Sequence, residues 1–143
     1  MTIRRRSIIG GLARYWLPPL AWMGMIYYLS AQSVLPSPPE PWLNTLLKKG
    51  AHWGVYAGLA FWWWRALRSV RETSPGRLSN GAVLGLAFIL TVLYAASDEF
   101  HQNFTPSRHP SPWDVLIDAA GAATALALLR RWGPHITGSG RAD

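Results

Sequence analysis

Four apolar runs alternate with polar connections along this 143-residue chain. The runs cover residues 15–29, 51–67, 81–97 and 115–129. Each is near the short end of the range that crosses a bilayer, about 17 to 25 residues, so the polar ends of the runs must reach the headgroups. The third run has almost no polar face, which a helix of a soluble bundle would show. The pattern predicts an all-α polytopic membrane protein whose four transmembrane helices form a small bundle.

Basic and polar segments flank this membrane region. We expect residues 1–14 to form a basic cytoplasmic N-terminus, residues 15–132 a four-helix membrane domain and residues 133–143 a cytoplasmic tail. Pro18 and Pro19 fall in the first turn of the first run, where a missing N–H costs little. That run ends without a good small-residue cleavage site and further apolar runs follow it. We therefore interpret it as a span and not as a cleaved signal peptide.

The lysines and arginines are distributed unevenly between the two sides of such a bundle. With four spans, both termini and the middle connection share one side, which contains 11 of the 14 basic residues. The positive-inside rule then places both termini in the cytoplasm. The net charge of +7 forms short clusters beside apolar runs and no stripe, so membrane lipids are the expected partners and nucleic acid is not. The 11 residues are Arg4, Arg5, Arg6, Arg14, Arg65, Arg68, Arg71, Arg77, Arg130, Arg131 and Arg141, and the other three are Lys48, Lys49 and Arg108.

Ionisable side chains are concentrated in residues 94–121, at the junction of the third and fourth runs. Such groups are costly in a membrane, so their concentration marks the default candidate for a functional site. Asp98, His101 and Gln102 share one face of the third helix if that helix continues through them. Glu99 is turned from Asp98 by about 100°. The two carboxylates can therefore serve one site only if helices flank them on two sides.

The second and fourth helices contribute polar residues on the same side. Lys49, His52 and Tyr56 stand at i, i+3 and i+7 of the second helix and share one face. Asp114, near the start of the fourth helix, is a candidate cap or first-turn acid. Asp118 lies one turn deeper, where no cap explains a carboxylate, so it needs a partner. The candidates for that partner are Arg108, His52 and Lys49.

Three interpretations of this polar cluster are open on the sequence. One is a structural ion-pair network that holds short helices together. Another is a site for a phosphate-bearing lipid or envelope intermediate, with Lys49 and Arg108 holding the phosphate and His52 or a carboxylate acting as acid or base. The third is a metal site, but the spacing of the acids and His101 matches no established ligand motif. We therefore predict no metal and assign no cofactor.

The cluster resembles the VanZ-like family of small bacterial membrane proteins. The similar stretch extends from about residue 22 to residue 129 and includes Asp98-Glu99-x-x-Gln102 followed by an arginine and an aspartate. The resemblance implies a bacterial inner-membrane protein with a cell-envelope role, because the family is named for an accessory protein associated with teicoplanin resistance. Asp118 stands where the family usually has Asn, so this chain has an additional ionisable group at that position. The matching positions are Lys49, His52, Tyr56, Tyr94, 97–102, Phe104, Pro106, Arg108, Ser111, Asp114, Val115, Asp118 and Gly121.

We therefore predict an extracytoplasmic polar site that binds or modifies a phosphate-bearing lipid or a lipid-linked cell-wall intermediate. Whether a reaction takes place is left open by the sequence. The alternative is a non-enzymatic partner of a cell-wall enzyme, with a structural polar cluster and functional positions on lipid-facing aromatics such as Trp62, Trp63 and Trp64. The predicted catalytic residues are His52, Asp98, Glu99 and Asp118, and the predicted substrate-binding residues are Lys49, Tyr56, His101, Gln102, Arg108 and Asp114.

Overall fold

The computed structural model describes residues 2–32, 39–74, 76–106 and 111–136. Within these ranges the chain forms four α-helices and no strand. The all-α class is therefore confirmed, and each helix is longer than the apolar run that predicted it. The helices are α1 (Thr2–Ser30), α2 (Pro41–Thr73), α3 (Asn80–Gln102) and α4 (Pro112–Ile136).

Local sequence explains where α2, α3 and α4 begin. Pro41 and Pro112 are the first residues of α2 and α4, where the fixed φ of proline suits a helix and its missing N–H removes no helical hydrogen bond. Ser79 precedes α3, and its hydroxyl accepts a hydrogen bond of 3.1 Å from the Ala82 amide, as an N-cap residue does. Gly76, with φ of +88°, adopts the left-handed conformation that the turn between α2 and α3 requires.

Pro18 and Pro19 lie inside α1, so their predicted position in a first turn is wrong. The reason is that the basic segment before the apolar run is helical too, and α1 begins at Thr2. Pro18 has no N–H to donate to the carbonyl of Arg14, four residues earlier. Arg65 of α2 compensates, because its Nη1 donates to that carbonyl at 3.1 Å. An arginine of the neighbouring helix therefore satisfies a backbone group that the proline leaves open.

The tryptophans near the end of the second run belong to the core. Trp63 and Trp64 are only 9% and 7% exposed, so their predicted position on a lipid-facing belt is wrong. Trp16 of α1 packs edge-on against Trp63, with ring centroids 6.1 Å apart. The face of α2 that carries these two rings is thus turned towards its neighbours, and Trp62 is half-buried beside them.

Helix α2 contacts each of the other three helices, and α3 also packs against α4. Two hydrogen bonds across helices fix how α1 is rotated against this group. The Trp22 indole N–H donates to the carbonyl of Val55 at 2.9 Å, and the Tyr94 hydroxyl donates to the carbonyl of Met23 at 2.6 Å. Because both donors belong to bulky ring systems and both acceptors are backbone atoms, a rotated α1 would lose both bonds.

The closest approach of α2 to α4 depends on a glycine. A Cβ atom on Gly121 would overlap the carbonyl oxygen of Trp53 and lie 3.1 Å from its Cα. Only glycine lets the two backbones meet this closely, as small residues do at interfaces between membrane helices. This contact holds the two helices in register at the level of the polar side chains described below.

The two ends of the bundle differ in charge. The acidic end comprises the last turns of α1 and α3 with the first turns of α2 and α4, as the hydrogen bonds Ser30–Asp98 and His52–Asp118 show. The basic end comprises the opposite termini and includes Arg65. Because successive helices run in opposite directions, the buried acids and most of the arginines lie at opposite ends of the bundle.

Within the described part of the chain, two helical segments are long and apolar enough to cross a membrane, namely Asn80–Gln102 and Pro112–Trp132. At a rise of about 1.5 Å per residue, the first is about 34 Å long, which exceeds a hydrocarbon core of about 30 Å. Only 22% of the apolar window of each is buried inside the bundle. Apolar helices that direct most of their surface outwards are typical of proteins surrounded by lipid. The membrane character of α3 and α4 is thus supported by both composition and exposure.

Candidate functional site

Asp98 is the central hydrogen-bond acceptor of the acidic end and is only 4% exposed. Its Oδ2 accepts from the hydroxyl of Ser30 at 2.7 Å, the hydroxyl of Tyr56 at 3.2 Å and Nε2 of Gln102 at 3.3 Å. The donors come from α1, α2 and α3, so one carboxylate oxygen joins three helices. The other oxygen, Oδ1, is buried and has no hydrogen-bond partner among the described residues. Such an atom is an acceptor that can serve a ligand.

Glu99 points away from Asp98 but belongs to the same network. Its Oε1 accepts from Nε2 of Gln102 at 3.3 Å, and its Oε2 accepts from the backbone amide of Ser111 at 2.9 Å. Gln102 therefore bridges the two carboxylates from one turn further along α3, and Ser111 ties Glu99 to the start of α4. This geometry agrees with the expectation that the two neighbouring acids need flanking elements on two sides, because Asp98 contacts α1 and α2 and Glu99 contacts the start of α4.

His52 and Asp118 form an ion-pair contact between α2 and α4. Nδ1 of His52 lies 3.1 Å from Oδ1 of Asp118, whose side chain is 1% exposed. The imidazole is 24% exposed, so it lies between the buried carboxylate and open space. A carboxylate on Nδ1 fixes the orientation of the ring and favours a proton on that nitrogen. Oδ2 of Asp118 is buried and has no partner within the described ranges.

A cavity of about 130 Å³ opens beside these residues between α1, α2 and α3. Its polar lining residues are Ser30, His52, Tyr56, Asp98 and Gln102, and apolar side chains of α1 and α2 complete the lining. A cavity of about 150 Å³ in another protein holds benzene, so this one admits a group of about six heavy atoms and not a whole lipid. The apolar residues that line it are Ile26, Leu29, Ala51 and Val55.

Among the described residues, Lys49, His101 and Asp114 were also predicted as site residues but do not line this cavity. Lys49 is exposed and does not line it. His101 is half-buried, and its ring packs against Tyr27 at a centroid distance of 4.5 Å. Asp114 lies in the first turn of α4, as predicted, and is half-buried. Arg108 lies outside the described residues, so its role stays a prediction.

Two contributors to the site were not predicted from the sequence. Ser30 donates the shortest hydrogen bond to Asp98, yet it reads in the sequence as the start of a proline-rich connection. Ser111 contributes its backbone amide to Glu99, which no residue type reveals. The only signal for Ser30 was its place at the end of an apolar run, on the same side as the acids.

A family model described as VanZ/LLP1 matches residues 11–133. The chain belongs to the VanZ/LLP1 family. The resemblance predicted from the sequence is thus confirmed, and the VanZ/LLP1 match includes every residue of the hydrogen-bond network around Asp98, Glu99 and Asp118. No curated protein and no solved structure matches the chain.

The described residues give no direct indication of a metal in this VanZ/LLP1 chain. No group of three or more His, Cys, Asp or Glu side chains converges among them in a way that would hold a metal ion. The acids instead meet hydroxyl, amide and imidazole donors. These contacts allow hydrogen bonding to the carboxylates and proton transfer at His52.

Proposed function

We propose that the chain is a multi-pass protein of the bacterial inner membrane, with four spans and both termini in the cytoplasm. The distribution of basic residues supports this orientation, since 11 of the 14 lie at the basic end or in the segments that continue it. Helices α1 and α2, of 29 and 33 residues, are long enough to cross. They carry many Trp and Tyr residues, which lower hydropathy averages but favour membrane interfaces. The acidic end then faces the cell envelope.

The function that the site supports best is recognition of an amphiphilic, phosphate-bearing envelope molecule at the acidic end. One observation carries the proposal: apolar side chains and the buried carboxylate of Asp98 line the same cavity, and Asp98 keeps a buried acceptor oxygen without a partner in the described part of the chain. Hydroxyl or amine groups of a ligand would donate to that oxygen. Its lipid part would follow the apolar wall towards the membrane. The family is named for a protein associated with teicoplanin resistance, and this association is consistent with a ligand from the cell envelope.

The phosphate of such a ligand would lie outside the cavity. The described lining contains the carboxylate of Asp98 and no lysine or arginine, so an anion inside would be repelled. Lys49 stands one turn before His52 on α2 and is exposed, which suits a phosphate contact at the surface. Arg108, whose fork geometry can bind a phosphate bidentately, is proposed as its partner on the strength of the sequence.

His52 is the residue best suited to proton transfer if the protein modifies its ligand. Asp118 holds its Nδ1, which leaves Nε2 as the nitrogen that can accept a proton from a hydroxyl or a water. Asp118 then stabilises the imidazolium that forms. His52 is thus a base of fixed orientation next to a cavity that admits one small chemical group. Asp98 and Glu99 would position the group that reacts.

A second candidate function is a non-enzymatic contact with a cell-wall enzyme. It is favoured by the exposed aromatics of the acidic end, since Phe100 is 67% and Trp113 71% exposed. Under this alternative, substitution of Phe100 and Trp113 by serine abolishes any cell-envelope phenotype that depends on the protein. Variants at His52 and Asp98 that keep the protein folded leave that phenotype unchanged.

Ligand-dependent stabilisation of the purified full-length protein tests the proposal. We expect a short-chain polyprenyl phosphate to raise the thermal midpoint in neutral detergent more than the matching polyprenol. A ligand at about 100 times its Kd adds about 2.7 kcal/mol to the free energy of unfolding. His52→Gln and Asp98→Asn should reduce this gain by more than half. Glu40→Gln, which removes an exposed acid at the same end, should keep it.

Mass spectrometry of lipids that co-purify with the wild-type chain identifies the natural ligand in the same preparation. Equal stabilisation by polyprenol and polyprenyl phosphate would exclude recognition of the phosphate. Equal gains in the wild type and in both site variants would show that the ligand binds elsewhere on the membrane surface.

A further inference from the structure

A second cavity lies at the basic end, on the opposite side of the bundle from the acidic cluster. Its volume is about 120 Å³, and α2, α3 and α4 all contribute to it. Its polar lining consists of three arginines and an asparagine, and no acidic side chain is among the described residues that line it. These residues are Arg68, Arg71, Arg130 and Asn80.

Arg71 is the residue that points most directly to a ligand. Its Nε is buried and has no hydrogen-bond partner among the described residues. A buried guanidinium N–H without an acceptor is costly, so an acceptor brought by another molecule would be stabilising. Arg68 is placed differently, because its Nε donates to Glu72 at 2.6 Å and its guanidinium lies 5.3 Å from the centroid of the Trp64 ring. Arg68 therefore forms a wall of the cavity, and Arg71 with Arg130 provides the donors.

The start of α3 adds to the attraction for an anion. Asn80 is the first residue of α3 and lines the cavity. The first backbone N–H groups of a helix have no partner within the helix, and the helix dipole favours negative charge there. This helix N-terminus coincides with an arginine whose buried Nε has no partner among the described residues and with a cavity that can hold a phosphate group.

The apolar part of the lining points to a lipid as the source of the anion. Leu84 and Leu129 line the cavity next to the arginines. Leu128, adjacent in sequence, is 45% exposed on the outside of the bundle. A headgroup in the cavity could therefore continue into acyl chains along the outer surface of α4. The cavity itself is large enough for a phosphate group but not for the chains.

We propose that this cavity binds the phosphate of an anionic phospholipid of the leaflet that faces the basic end. Arg71 and Arg130 donate to the phosphate oxygens, and Asn80 with the start of α3 completes the contact. The site joins α2, α3 and α4 at the end opposite to the candidate functional site, so a bound lipid stabilises the bundle independently of any ligand there.

The test compares two double variants of the purified full-length protein with equal loss of charge. Arg71→Gln/Arg130→Gln removes the two donors. Arg77→Gln/Arg131→Gln removes two arginines of the same end that do not line the cavity. We expect phosphatidylglycerol, titrated into detergent, to raise the thermal midpoint of the wild type more than phosphatidylcholine does. The first double variant should lose at least about tenfold in apparent affinity, as expected when charge-assisted hydrogen bonds are removed.

The control variant should lose less than about threefold, the loss expected from two screened surface charges. Arg71→Lys/Arg130→Lys should bind the lipid more tightly than Arg71→Gln/Arg130→Gln does. The lysines keep the positive charge of the site but lack the guanidinium fork, so part of the affinity should remain. Equal losses of affinity in both double variants would show that lipid binding depends only on the net charge of the protein, and this result would overturn the proposal. Full stabilisation by inorganic phosphate at the same concentration would also overturn it, since the site would then take free phosphate and not a lipid.

Discussion

Substitution of Gly121 by alanine is expected to destabilise the bundle, although alanine favours helices by up to about 1 kcal/mol over glycine. The added Cβ would overlap the backbone carbonyl of Trp53, which cannot move away as a side chain can. Overpacking typically costs about 1 to 3 kcal/mol, and a clash with backbone lies at the upper end. We expect the thermal midpoint of the purified protein to fall and the amount in the membrane to decrease.

Gly85→Ala is the matched control for this substitution. Gly85 lies in α3, is exposed, and has no atom within 4 Å of the position that a Cβ would take. Helix propensity alone should therefore make Gly85→Ala neutral or slightly stabilising. If both variants shifted the midpoint by the same amount, α2 and α4 would not approach as closely at Gly121 as the structure shows.

Substitution of Asp98 by alanine is expected to cost about 3 kcal/mol or more in the free energy of unfolding. Three hydrogen bonds to one oxygen are lost, and hydrogen bonds of charged groups contribute about 1.5 to 3 kcal/mol each. The hydroxyls of Ser30 and Tyr56 would also remain buried without this acceptor, whereas Gln102 would keep its hydrogen bond to Glu99. Asp98→Asn should lose less, because its carbonyl oxygen still accepts. Unfolding in mixed detergent and SDS measures the difference.

Asp114→Ala is the control for this loss. Asp114 is half-buried, and no hydrogen bond to its carboxylate is found within the described ranges. Its removal should cost about 1 kcal/mol or less, the size of an acid's interaction with a helix N-terminus. Equal costs at Asp98 and Asp114 would mean that the shared oxygen does not hold three helices together.

The sequence predicted that the acids of the candidate site, Asp98, Glu99 and Asp118, lie at one end of the bundle, and the structure brings them together there. This much could be predicted because a charged group is costly in a membrane. Asp118 therefore needed a partner within reach, and His52 was one of three candidates. Residue spacing also showed that Asp98 and Glu99 point in different directions. Both inferences depend only on helix periodicity and on the cost of burial.

The rest depended on how the helices are rotated and how closely they approach, which periodicity does not determine. Ser30 reaches Asp98 because the Trp22 and Tyr94 hydrogen bonds orient α1. Trp63 is buried because the face of α2 that carries it packs against α1, although a tryptophan triplet beside arginine is typical of an interface. Lys49 shares a helical face with His52, but its side chain remains exposed at the end of the bundle.

The proposed recognition of an envelope molecule depends on which end of the bundle faces the envelope, and the absence of cysteine from the chain makes this measurable. Phe104→Cys reports on the acidic end, where Phe104 is 72% exposed, and Thr73→Cys reports on the basic end, where Thr73 is exposed. With a membrane-impermeant maleimide on intact cells, we expect Cys at 104 to be labelled and Cys at 73 to be labelled only after lysis. Labelling at 73 with protection at 104 would place the buried acids on the cytoplasmic side and contradict the account.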